Sequence, residues 1–264
     1  MTPNSNRPGG NPTGVVAALR SEARCLAPRR LRADRDTASS LMVEASGMGC
    51  QRAARTAQRL VHAGARSLLC WGVAGALDPS LRSGDVILAT EVICDSPLAL
   101  QLPATRPIAL PAHARLRTSE SWRAQLAEAL QRQGPVVEGS ILTSAELVCE
   151  SGQKARLFRD TQAVAVDMES AAVGVVARLH SLPFMVLRVI ADTAADEMPA
   201  ALRLMAGSQP LGPLSWVAWL PMMCLPTSWP GLARLGQRYR VARQVLQQCA
   251  RHGRPRPPQE ATQS

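Results

Sequence analysis

Read for its alternation of apolar and polar positions, the chain breaks into short strands and amphipathic helices in turn. Gly14-Val-Val-Ala-Ala-Leu19 is an unbroken apolar run bounded by turn formers, the pattern of a central strand buried on both faces. Leu41–Ala45 predicts a second strand, ending in Ser46-Gly47-Met48-Gly49. From Cys50 to about Ala63, residues Ala53, Ala54, Ala57, Leu60 and Val61 recur at helical spacing, with arginines and Gln58 on the other face. Ser67–Trp71 predicts a third strand that stops at a Gly72-Val73-Ala74-Gly75 turn, and Val86–Val92 a fourth after the turn Ser83-Gly84-Asp85. Ser121–Gln133 reads as a helix, Gly139–Thr143 and Val164–Val166 as short strands, and Met168 to Leu179 as a helix. Pro183–Ile190 is the last apolar strand and runs into Ala191-Asp192. Strands alternating with helices predict an α/β fold: a mostly parallel central mixed sheet flanked by helices.

The ends of the chain change the pattern. Residues 1–13 are polar and rich in Pro and Gly, and are expected to be a disordered leader without an apolar signal core. Residues 14–250 form the expected single domain, with an apolar C-terminal extension over about 207–250 and a disordered tail over 251–264. At 264 residues one domain fits better than two.

Composition narrows the function classes. Hydrophobic residues make up 46% and charged residues 19%, too apolar for a disordered chain. The net charge of +10 favours an anionic partner, but it is carried almost entirely by scattered arginines, with Lys154 the only lysine. Aromatics at 3% supply no stacking platform, so no nucleic-acid partner is expected. The seven cysteines form no CxxC pair and do not cluster with the four histidines, which argues against a metal site and against a disulfide framework. Buried thiols in a reducing, cytoplasmic setting are the expectation.

In open α/β sheets, ligands sit beyond the carboxyl ends of the strands. Three acids fall there: Glu22 after the first strand, Glu169 at a strand-to-helix junction and Asp192 after the last strand. Taken singly, each has a plainer reading as a helix cap or a solvated loop residue. The glycine-bearing turns Ser46–Gly49 and Gly72–Gly75 would let backbone approach a ligand, although such turns are common.

The order of these pieces carries more. Gly14-Val-Val-Ala-Ala-Leu-Arg-Ser-Glu-Ala23, Ser46-Gly-Met-Gly49, Trp71-Gly-Val-Ala-Gly-Ala-Leu77 with Gly84-Asp85-Val86, Val166-Asp-Met-Glu-Ser-Ala-Ala172 and Leu187-Arg-Val-Ile-Ala-Asp192 resemble, in order, five motifs of the nucleoside phosphorylase/nucleosidase superfamily. The resemblance spans roughly residues 14–195 and implies cleavage of a purine N-glycosidic bond.

It implies roles for residues as well. Asp192 would protonate or hydrogen-bond the purine N7, and Glu22 would activate the attacking water. Glu169 would take the ribose hydroxyls, and Met168 would lie against the sugar. Gly72, Val73, Ala74 and Gly75 would border the nucleophile site, Ser46 and Gly47 the ligand, and Leu147 and Val148 the base. No metal and no organic cofactor is implied; inorganic phosphate is the co-substrate the resemblance admits. Cys70 and Val73 stand where phosphorylases of the family carry phosphate-binding Arg and Ser or Thr, with Arg20, Arg24 or Arg52 as substitutes. Ala191 replaces a serine that supports the aspartate.

The C-terminal stretch Pro210–Leu232, with Trp216, Trp219 and Trp229, is too interrupted by proline to span a bilayer. It is expected either to pack on the core or a subunit interface, or to lie at a membrane surface with arginines 234, 238, 240 and 243 toward anionic lipid. That tail resembles the hopanoid-associated phosphorylase branch, which implies release of adenine from adenosylhopane, a lipid-linked nucleoside. It also implies a homo-oligomer with peripheral contact at the inner face of the membrane. The alternatives are a methylthioadenosine/S-adenosylhomocysteine nucleosidase and a catalytically inactive membrane-associated scaffold.

Overall fold

The computed structural model describes residues 12–26, 41–103, 107–197 and 229–253. The expected leader lies outside them but for its last two residues, as does the tail beyond Gly253. The stretch Pro210–Leu232 also lies outside them up to residue 228.

Ten strands and six helices are formed among the described residues. The strands are β1 (Thr13–Ala17), β2 (Leu41–Ala45), β3 (Ser67–Ala76), β4 (Val86–Cys94), β5 (Leu98–Leu100), β6 (Ile108–Leu110), β7 (Arg115–Arg117), β8 (Val136–Thr143), β9 (Ala165–Asp167) and β10 (Phe184–Asp192). The helices are α1 (Arg20–Leu26), α2 (Cys50–His62), α3 (Glu120–Gln131), α4 (Ser151–Thr161), α5 (Ser170–Leu179) and α6 (Trp229–His252). No helix among the described residues is long and apolar enough to cross a membrane.

The main sheet is mixed and partly closed. Parallel pairs join β2 to β1, β1 to β3, β3 to β10, β4 to β8 and β8 to β9. Antiparallel pairs join β10 to β4 and β3 to β9, so β3, β10, β4, β8 and β9 form a ring from which β1 and β2 extend. Its two faces carry two apolar cores. One packs α2 and α5 through Ala53, Ala57, Leu60, Ala172, Val173 and Val176. The other packs α1, α3 and α6 through Cys25, Leu26, Trp122, Leu126, Ala242 and Leu246.

The long strand β3 corrects one expectation. Gly72–Gly75 is not a turn; the strand continues through it to Ala76. The reason is pairing: Arg188 faces Gly72 and Asp192 faces Gly75 along β10, so the backbone remains laddered on that side. On its other edge β3 changes partner, from β1 over Ser67–Trp71 to β9 over Gly75–Ala76. Between the two, the Val73 amide finds no strand to pair with. This gap is the switch point at which side chains from three strand ends converge.

Candidate active site

Glu22 fills the gap. Helix α1 begins directly after β1, and Glu22 in its first turn is 1% exposed. Its Oε1 accepts from the Val73 amide at 3.1 Å, and its Oε2 from the Leu19 amide at 2.9 Å. Burial raises its pKa above the ordinary carboxylate range, against the lowering effect of Arg188 and of these amides.

Arg188 is the cation of this cluster. A Cβ at Gly72 would lie 2.7 Å from Arg188 Nη1 and 2.9 Å from the Glu22 carboxylate, so glycine there is what lets the two approach. The guanidinium bonds Asp167, Glu169 at 3.4 Å and Cys70 Sγ at 3.1 Å. Asp167 also accepts from Thr143 Oγ1 at 2.8 Å and from the Ser170 hydroxyl. It anchors the start of α5.

Glu169 caps the other side of the gap. It is the residue before α5, and its Oε1 accepts from the Gly49 amide at 2.9 Å. Burial, opposed by Arg188 and reinforced by Asp167, pushes its pKa up to about 7. Ser46 and Gly47 lie beside the cavity rather than in its lining. The Ser46 hydroxyl turns back to Ala17 and Gly47 carbonyls; the turn instead presents the Gly49 amide to Glu169 and Met48 to the cavity.

Asp192 ends β10 at a bulge and is 4% exposed. Its Oδ2 accepts from Lys154 Nζ at 2.5 Å. Glycine at 75 again makes room, since a Cβ there would stand 3.1 Å from that oxygen.

These groups enclose one cavity of about 510 Å3. Glu22, Glu169 and Asp192 line it together with Met168, Val73, Ala74, Gly75, Leu147 and Val148. Gly72 stands behind Glu22 rather than in the lining. The structure adds residues the sequence reading did not name: Ala18, Leu19, Met48, Glu146, and Leu235, Gly236 and Tyr239 of α6. Helix α6 is tied over the cavity through two adjacent residues near its middle. Tyr239 shares a 2.6 Å hydrogen bond with Ser21, and Arg238 pairs with Asp196. Arg20, Arg24 and Arg52 are exposed and line no part of the cavity, so the cation beside Glu22 is Arg188. A signal for it was present, because a charged residue within the otherwise apolar run Phe184–Ile190 is expected to be buried and therefore paired.

The fold and site together define an α/β protein whose strand ends enclose an apolar-walled cavity floored by carboxylates. Residues 35–206 match the family model of the phosphorylase superfamily, and the chain belongs to that superfamily. A 5'-methylthioadenosine/S-adenosylhomocysteine nucleosidase of Mycobacterium tuberculosis is 29% identical over 185 residues, 61% of this chain and 72% of that protein. An aminodeoxyfutalosine nucleosidase of Helicobacter pylori is 30% identical over 151 residues, covering 54% and 62%. The similar segment is 57% of the length of a Tolumonas auensis 5'-methylthioadenosine/S-adenosylhomocysteine nucleosidase, less than two thirds of that relative. Among solved structures, the Helicobacter pylori 5'-methylthioadenosine/S-adenosyl homocysteine nucleosidase superposes with a TM-score of 0.63 at 21% identity, over 92% of this chain and 99% of that one. Futalosine hydrolase of the same organism gives 0.63 at 20% identity, over 91% and 97%.

Proposed function

We propose that this protein hydrolyses the N-glycosidic bond of a purine nucleoside whose sugar carries a bulky apolar group. The observation that carries this reading is the gathering of Glu22, Glu169 and Asp192 around one apolar-walled cavity. Breaking the bond sends its electron pair to the base and leaves an oxocarbenium-like sugar. Asp192 gives a proton to the base N7, Glu169 accepts hydrogen bonds from the ribose hydroxyls, and water adds to C1′ while Glu22 takes its proton.

Water is the nucleophile the local charge favours. Arg188 is surrounded by Asp167, Glu169 and, across Gly72, Glu22, so three carboxylates face one guanidinium. A phosphate dianion beside Glu22 would meet like charge without a second cation. Val73 and Cys70 offer it no hydroxyl.

The substrate reading rests on the cavity walls and on the sequence. Leu19, Met48, Leu147, Val148 and Leu235 give an apolar lining, and 510 Å3 falls in the range that encloses a drug-sized ligand, roughly 300–1,000 Å3. With the resemblance to the hopanoid-associated branch, adenosylhopane is the first such substrate to assay. The second reading, methylthioadenosine or S-adenosylhomocysteine, is favoured by the names of the relatives. Adenine release from adenosylhopane and methylthioadenosine, each with and without phosphate, separates the two. Release from the lipid nucleoside alone, independent of phosphate and abolished in Asp192→Asn, supports the proposal. Release from methylthioadenosine alone makes the protein a salvage nucleosidase, and release from neither removes both substrate readings.

A further inference from the structure

Lys154 is the only lysine of the chain and is fully buried on α4, a helix whose other residues are mostly solvated. Burying an ammonium is costly unless each of its protons finds an acceptor. Here all three do. Nζ donates to Asp192 Oδ2 at 2.5 Å, to the Thr193 carbonyl at 2.8 Å and to the Asp196 carbonyl at 3.1 Å. Asp196 turns its own carboxylate back on the loop, accepting from the Thr193 amide at 2.8 Å and hydroxyl at 2.7 Å, and it pairs with Arg238 of α6.

We propose that Lys154 is the positioning residue of Asp192, and that through Asp196 and Arg238 it ties the aspartate to the seating of α6 over the cavity. This rests on the hydrolase reading above and extends it to residues outside the cavity lining. Among the described residues, Lys154 is the only side chain that donates to Asp192. Ala191 has no hydroxyl to share the task, so the carboxylate's orientation depends on the ammonium. With Oδ2 held, the remaining oxygen is the one available to the base. As the bond to the base breaks, the proton leaves Asp192 and a carboxylate forms beside a fixed positive charge. Negative charge that develops on Asp192 in the transition state forms against that ammonium. The loop from Thr193 to Asp196 is ordered by the same ammonium, and α6 contributes Leu235, Gly236 and Tyr239 to the cavity. One buried lysine thus connects the acid to the cover.

The test measures base release by full-length wild type, Lys154→Ala and Asp196→Asn. Each is also followed by circular dichroism and thermal melting. Lys154→Ala is expected to lose ~100-fold in kcat, the scale of a misplaced general acid, with KM within about threefold of wild type. Added ethylamine or propylamine should restore part of that kcat saturably, and should do nothing for Asp192→Asn. Asp196→Asn, which keeps Lys154, should lower kcat in the same sense with a smaller effect. A folded Lys154→Ala that retains wild-type kcat overturns the proposal, as does a loss that no amine reverses. Should Lys154→Ala not fold, Lys154→Met, which keeps the bulk of the side chain and removes its charge, decides, and an unchanged kcat there overturns it. Absence of base release by wild type overturns the hydrolase reading and this inference together. Wild-type turnover with indifferent variants overturns this inference alone.

Discussion

The Arg188 guanidinium stands 2.6 Å from Asp167 Oδ2, with each side chain 1% exposed. Asp167 and Glu169 both line the cavity, and Arg188, outside the lining, pairs with each of them. Arg188→Met is therefore expected to leave Asp167 and Glu169 as buried, uncompensated charges and to destabilise the protein by about 3–5 kcal/mol. Urea unfolding followed by circular dichroism checks this; a cost near zero would mean that the acids take up protons without consequence.

Glycine at position 72 is demanded by what crosses it. A methyl group there would press on Arg188 and Glu22 at 2.7 and 2.9 Å. Gly72→Ala should lower kcat/KM by ~100-fold, the scale expected when reacting groups are displaced by about an ångström. Steady-state base release compared with melting temperature distinguishes a displaced site from a collapsed fold.

Glu22 and Glu169 both work ionised, and burial raises the pKa of each, Glu169 to about 7. On acidification kcat/KM should fall through pKa values above those of an ordinary carboxylate, with a limb approaching second order in protons. Glu22→Gln should slow turnover and remove one proton from that limb. The stability contribution has the opposite trend. A carboxylate with a raised folded-state pKa contributes stability below its unfolded value and loses it as pH rises through the folded value. Melting temperature should therefore carry a falling component between about pH 5 and 8 while activity rises, and Glu169→Gln should flatten it.

Gly236 lines the cavity from α6, and a Cβ there would meet nothing within 4 Å. Gly236→Phe should fill that space and raise KM for a nucleoside with a bulky apolar substituent by ~10-fold or more, while leaving methylthioadenosine little changed. Equal effects on both substrates would place the apolar group elsewhere.

Much of this was legible along the chain. The apolar runs at Val15–Ala17, Val86–Ala89 and Phe184–Ile190 announced strands because both faces of each are buried, and Ala53, Ala57 and Leu60 announced the inner face of α2. Glu22, Glu169 and Asp192 could be singled out because each lies at the end of such a run. Other elements gave no such sign. The segment Ser151–Thr161 is largely polar, burying only Lys154 and Thr161, and the three-residue strands β5, β6 and β7 are too short to show a period.

What the sequence determined by itself is therefore local: which segments bury which faces, and which acids follow them. Only the tertiary structure decided that β3 runs on past Gly72, that Arg188 lies behind Glu22, that Lys154 reaches Asp192 across 38 positions, and that α6 lines the cavity. The physical reason is that hydrophobic periodicity records a residue's own burial, whereas partner and register are set by pairing between strands distant in the chain. The site is made where β3 exchanges β1 for β9, and neither neighbour is written in the residues of β3.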